Sequence, residues 1–151
     1  MLNNWDLKTS NNRIYEATDP VATPRRQYMV RDVGSSLGYS KQFWLFTILG
    51  TAGSQGSKND VEGFEQQGFI EKVDGNKVRF DYRGMHQALV ETLTVPDVIW
   101  ACELLARIPD GHWDAAFKAG AYPEADANRY IRKIKEKIAQ GLALRSQAAT
   151  R

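Results

Sequence analysis

The chain has 151 residues, within the range of one domain, and 42% of them are hydrophobic, enough to build a substantial core. Twenty basic residues against eighteen acidic ones leave a net charge of +2, too near neutral to point to nucleic acid or an acidic membrane as partner. The single cysteine, Cys102, excludes an internal disulfide, and the run Phe43–Leu49 falls far short of the roughly 20 apolar residues of a membrane helix.

Asn3, Asn4 and Asp6 interrupt any secretory leader, and localisation stays open. This polar opening, Asn3 to Asn12, reads as a loop. It carries an aspartate (Asp6), a lysine two residues on (Lys8) and an asparagine three further (Asn11). Arg13–Ala17 reads as a strand, Pro20 and Pro24 mark a turn, and Gln27–Arg31 reads as a second strand, so the two form a hairpin. The second strand delivers Asp32 into the glycine turn Asp32-Val33-Gly34. Gly50–Lys58 is rich in glycine and serine. Asn59–Phe64 starts a helical turn, and Phe69–Val73 with Lys77–Tyr82 alternate around Asp74-Gly75-Asn76 as a second hairpin.

From Gly84 onward the pattern is helical. Met85–Leu93 forms one helix. Thr94 caps the next, with Pro96 in its first turn and Asp97 at the third position, and this helix runs to about Ile108. Pro109-Asp110-Gly111 breaks it, and Asp110 caps a helix from His112 to Ala119. The last helix runs from Glu124 to Leu144 with Ala127, Ile131, Ile134, Ile138 and Leu142 as its apolar stripe. Arg129, Arg132, Lys133, Lys135 and Lys137 fall mostly off that stripe and form a solvated face. Residues 1–144 read as one domain and 145–151 as a frayed tail. Cys102 reads as a small buried side chain. Trp100 and Trp113 fall within apolar helical patterns and belong in the core. His86 and His112 lack metal-ligand spacing and belong on the surface or at helix starts.

Carboxylate, ammonium and amide on one loop, with a second carboxylate beyond a hairpin, are parts that phosphoryl transfer uses. Asp6-Leu7-Lys8-Thr9-Ser10-Asn11 resembles the catalytic loop of the protein-kinase-like superfamily, and Tyr28 to Gly34 resembles its metal-binding strand and turn, with Val33 in place of phenylalanine. Trp5 stands where protein kinases usually have arginine. The span from about Leu2 to Leu144 also resembles the C-terminal part of longer bacterial kinase-like proteins. The resemblance implies an α+β, mainly helical, kinase-like C-terminal lobe. It would have a catalytic-loop hairpin, a second β-hairpin and three to four C-terminal helices. It implies Asp6 as the residue that orients or deprotonates the acceptor and Lys8 as the neutraliser of the moving phosphoryl group. Asn11 and Asp32 would hold Mg2+ bound to ATP. Met1 falls where such a lobe is already under way, so an N-terminal lobe or a partner protein is expected to complete it. The alternative is an interaction module without catalysis that docks a partner through exposed apolar surface. Acceptor and oligomeric state stay open.

Overall fold

Alternating residues build two separate antiparallel strand pairs, and helices build most of the remainder. The structure, a computed structural model, describes residues 1–7, 9–16, 26–30, 33–40, 56–84 and 86–149. β1 (Asn12–Glu16) pairs with β2 (Arg26–Val30), setting Asn12 opposite Val30 and Glu16 opposite Arg26. A 3-10 turn covers Val33–Ser35. α1 (Val61–Gln66) begins at Asp60, whose carboxylate accepts from Gly63 N at 3.0 Å, the usual way to satisfy an orphan N–H of a first turn. β3 (Ile70–Asp74) and β4 (Lys77–Phe80) reverse through Gly75, whose φ of +59° suits a residue without Cβ. Then come α2 (Gln87–Val90), α3 (Val95–Ala106), α4 (Asp110–Ala119), α5 (Glu124–Leu142) and α6 (Leu144–Ala149). The chain is α+β and mainly helical, as its pattern indicates. α3 carries the full capping box, with the Thr94 hydroxyl and the Asp97 carboxylate each bonding the other's backbone N–H.

The core forms where α5 packs against α1, α3 and α4. Ala127, Ile131, Ile134 and Ile138 are buried as their spacing requires, and Tyr130, Lys137 and Gly141 are buried beside them. Gly141 lets α3 approach closely, because a Cβ there would run into the Cys102 sulfur. Cys102 is itself buried. An aromatic cluster fills the other side. Phe64 meets Tyr130 edge-on at 5.3 Å between centroids, and Phe117 stacks on Tyr130 at 5.6 Å. At the surface of the same seam Arg129 joins Glu62 at 2.9 Å and Glu65 at 2.6 Å, and Arg132 joins Glu65 at 2.6 Å. Hydrogen bonds from Arg129 hold both carboxyls below their ordinary pKa. These groups are solvated, so the apolar seam beneath them contributes more to stability.

Several local expectations change. The helix expected over Met85–Leu93 shrinks to the four residues of α2. His86 takes a left-handed φ of 52° ahead of it, and Leu93 turns away to accept from Val78 N at 3.0 Å, drawing Thr94 into a bridge with Lys77. Asp110 is not a cap. Pro109 occupies that position, and Asp110 lies in the first turn of α4, paired with Lys135 at 2.8 Å. Trp100 is 63% exposed rather than in the core, because it sits two residues from both Val98 and Cys102, on the far side of α3 from the seam. Trp113 is partly buried against the core, and His86 and His112 are exposed. Lys137 is buried instead of solvated. Beyond Leu144 the chain continues as α6, with Arg145 paired to Glu103. The apolar run Phe43–Leu49 and most of the glycine- and serine-rich segment lie outside the described residues.

Ala121 follows α4 at φ 56°, the left-handed position that usually takes glycine, and its side chain is exposed. Relief of Cβ crowding outweighs the extra freedom that glycine gives the unfolded chain. Ala121→Gly is therefore expected to raise stability by about 1 kcal/mol, read as a higher urea midpoint at unchanged slope.

Candidate functional site

The loop that opens the chain is fastened along its length. Leu2 O accepts from Leu37 N at 2.9 Å, and Trp5 N donates to Ser35 O at 3.3 Å, so residues 2–5 run alongside residues 35–38. Asn3 adopts φ 54°, a conformation asparagine tolerates better than most residues. Asn4 Oδ1 accepts from Asp6 N at 3.0 Å, a local turn of the kind asparagine favours. Asn11 Nδ2 then reaches back five residues to donate to Asp6 O at 3.2 Å. The loop is closed around Asp6, which is 4% exposed.

Tyr82 lies close enough to Asp6 to feel its charge, and Trp5, the residue before Asp6, is anchored by its ring. The Tyr82 hydroxyl donates to Asn4 O at 3.2 Å, and its pKa is pushed up to about 12, first by burial and then by the charge of Asp6. The Trp5 indole N–H donates to Ser57 O at 3.2 Å, and its ring lies against Gly56, where a Cβ would overlap it. Ser57 in turn donates through Oγ to Asp60 Oδ2 at 2.7 Å, which ties this wall of the site to the start of α1.

Of the four residues expected to carry chemistry, Asp6 and Asn11 are brought together. Lys8 and Asp32 lie outside the described residues. Val30 pairs with Asn12, next to Asn11, and Ser35 O accepts from Trp5 N. Among the described residues no three His, Cys, Asp or Glu side chains gather as a metal cluster.

Behind the loop lies a buried polar network that the sequence did not reveal. Asn3 Nδ2 donates to Gly38 O at 2.8 Å and to Gln67 Oε1 at 3.2 Å. Gln67 Nε2 donates to Ser40 Oγ at 2.9 Å and to Asp81 O. Lys137 Nζ donates to Asn3 Oδ1 at 3.0 Å and stands 4.1 Å above the centre of the Phe64 ring. Burial, helped by the charge of Lys133, lowers the Lys137 pKa to about 7. The signal for Lys137 was present as spacing, since it continues the series Tyr130, Ile134, Lys137, Gly141 down one face of α5. Gln67 follows a short helix in a polar stretch and carries no such signal.

An apolar groove of about 490 Å³ opens beside the loop, between Leu2 and Leu7 on one side and Phe80, Leu93, Trp100 and Leu105 on the other. Among the described residues no helix is long and apolar enough to cross a membrane. The chain matches no family model, no curated protein and no solved structure.

Proposed function

We propose that the chain is the C-terminal lobe of a protein-kinase-like phosphotransferase acting with Mg2+ and ATP. The observation that carries this reading is the closure of the Asp6 loop by the Asn11 amide, directly ahead of a strand pair whose second strand ends at Val30, two residues before Asp32 in the sequence. An Asn11 side chain that donates through Nδ2 presents its carbonyl oxygen as the atom for a hard cation, and a carboxylate from Asp32 would complete an oxygen donor set of the kind magnesium prefers. Bound Mg-ATP would supply the transferable phosphoryl group and the charge that draws it off. Asp6 would orient the acceptor hydroxyl and take its proton, and Lys8 would neutralise charge on the phosphoryl oxygens. Completion of the nucleotide site would draw on an N-terminal lobe.

The test is thermal unfolding with and without Mg-ATP, for the native chain and for Asp32→Ala. A ligand at one hundred times its Kd stabilises by about 2.7 kcal/mol, and each kcal/mol moves the midpoint of a domain this size by roughly 2–4 °C. The native chain is expected to shift upward by several degrees only when Mg2+ is present, and the variant to show no shift. An equal shift in Asp32→Ala would sink the metal assignment.

The second reading, an interaction module, is favoured by one observation: Trp100 at 63% exposure and Leu2 at 44% flank the apolar groove. It would be supported by self-association in sedimentation that Trp100→Ser abolishes, without any response to nucleotide.

A further inference from the structure

Among the described residues Lys137 is the buried cationic side chain, 1% exposed. A methionine would fill the space of its stem without the cost of burying an amine, so packing alone gives no reason for lysine here. What the amine does is select one orientation of the Asn3 amide. With Oδ1 held by Lys137 Nζ, Nδ2 faces the two acceptors, Gly38 O and Gln67 Oε1. A flipped amide would set oxygen against both acceptors and N–H against the amine. Asn3 lies three residues before Asp6, and Gly38 lies four residues after Gly34.

We propose that Lys137 is a positioning residue for the loop around Asp6. By fixing the Asn3 amide it keeps residues 2–5, which lead into Asp6, in register with residues 35–38. Its structural consequence rests on these hydrogen bonds alone; its functional consequence rests on the phosphotransferase reading. The groups that face the amine are Asp81 from beyond β4, Lys133 and Glu136 on its own helix, and the amino group of Met1. The first two causes of its lowered pKa, burial and Lys133, outweigh the opposing pull of Glu136 and Asp81. Among the described residues the protonated amine meets one carbonyl oxygen and one ring face, so charging it inside the pocket costs more than charging it in water.

The experiment is NMR of the full chain without nucleotide, following the backbone amides of Trp5 and Leu37, which bond across the two segments, and the side-chain amide of Asn3. In the native chain these signals are expected to share one inflection near pH 7, where the amine titrates. Lys137→Gln offers Asn3 an N–H but nothing that titrates, and is expected to keep the signals dispersed while losing the inflection. Asn3→Asp gives the amine a counter-charge and is expected to move the inflection up by about one unit or more, which keeps the test decisive if Lys137→Gln fails to fold. An inflection that persists in Lys137→Gln, that stays put in Asn3→Asp, or that is absent from Trp5 and Leu37 in the native chain would overturn the proposal. Mg-ATP affinity, measured separately on either side of neutrality, separates the two readings. A several-fold loss on acidification, absent in Lys137→Gln, ties the positioning to nucleotide binding. No binding at any pH, with the inflection intact, would exclude a nucleotide site on this lobe alone and leave the positioning role standing.

Discussion

Phe64→Ala is expected to lower stability by about 3–5 kcal/mol, the range for deleting a large aromatic side chain from a core. Phe64 is fully buried. Its ring meets Tyr130 edge-on across the seam between α1 and α5, so truncation removes transfer energy, leaves a cavity and unpairs an aromatic contact. It also removes the face over which Lys137 Nζ stands. Phe64→Leu separates these contributions. Leucine restores much of the volume but offers no ring to the ammonium, so it is expected to be milder in stability and to lower the Lys137 pKa further. Chemical denaturation of both variants, with the amine titrated by NMR in Phe64→Leu, checks both statements. A Phe64→Ala penalty below about 1 kcal/mol would mean that the seam collapses onto the gap and that this core is less tightly specified than its geometry indicates.

The second large effect is in pH. Lys137 ionises near 7 in the folded chain and near 10.5 when unfolded. Between those values the unfolded chain carries the extra proton, so stability rises with pH across that window and this group contributes no slope below it. The rise is on the order of a few kcal/mol for a shift of this size. Other buried groups oppose it at the alkaline end. Burial raises the Cys102 thiol, and pushes the Tyr82 and Tyr130 phenols up to about 12, so each favours the unfolded chain once its ordinary pKa is passed. The native chain is therefore expected to be most stable in mildly alkaline solution and to weaken above about pH 10. Lys137→Met is expected to flatten the rise from neutrality while leaving the alkaline decline. Denaturation midpoints at a series of pH values for the two proteins test this, and parallel curves would show that the amine is not the source.

How much of this was legible in the sequence depended on whether a residue's role was local. The capping box at Thr94 and Asp97, the turn at Gly75 and the two hairpins are decided within a few residues, and each appears where the pattern placed it. The closure of Asn11 onto Asp6 spans five residues, inside the stretch that the sequence marks as a polar loop. Failures came where a distant element decided the outcome. The helix over Met85–Leu93 lost its end to β4, because Val78 claims the Leu93 carbonyl. Trp100 has the composition of a core position but sits on the side of α3 that no described helix covers. The charge of Lys137 points to solvent, although its spacing sets it in line with Tyr130 and Ile134. A buried cation needs a partner, and that partner is 134 positions away, beyond the reach of any local pattern.

That separation has a consequence for how the chain assembles. Residues near the beginning of the chain are fastened by a helix near its other extremity, so the loop around Asp6 cannot acquire its final shape while α5 is still being synthesised. During translation Asn3 stays without this partner until Lys137, 134 positions later, has emerged. The local hairpins can form early, but closing so long a loop carries an entropic penalty that only the assembled seam can offset. The candidate site is thus among the last parts to be completed, and a truncated product lacking α5 would carry the motif without its geometry.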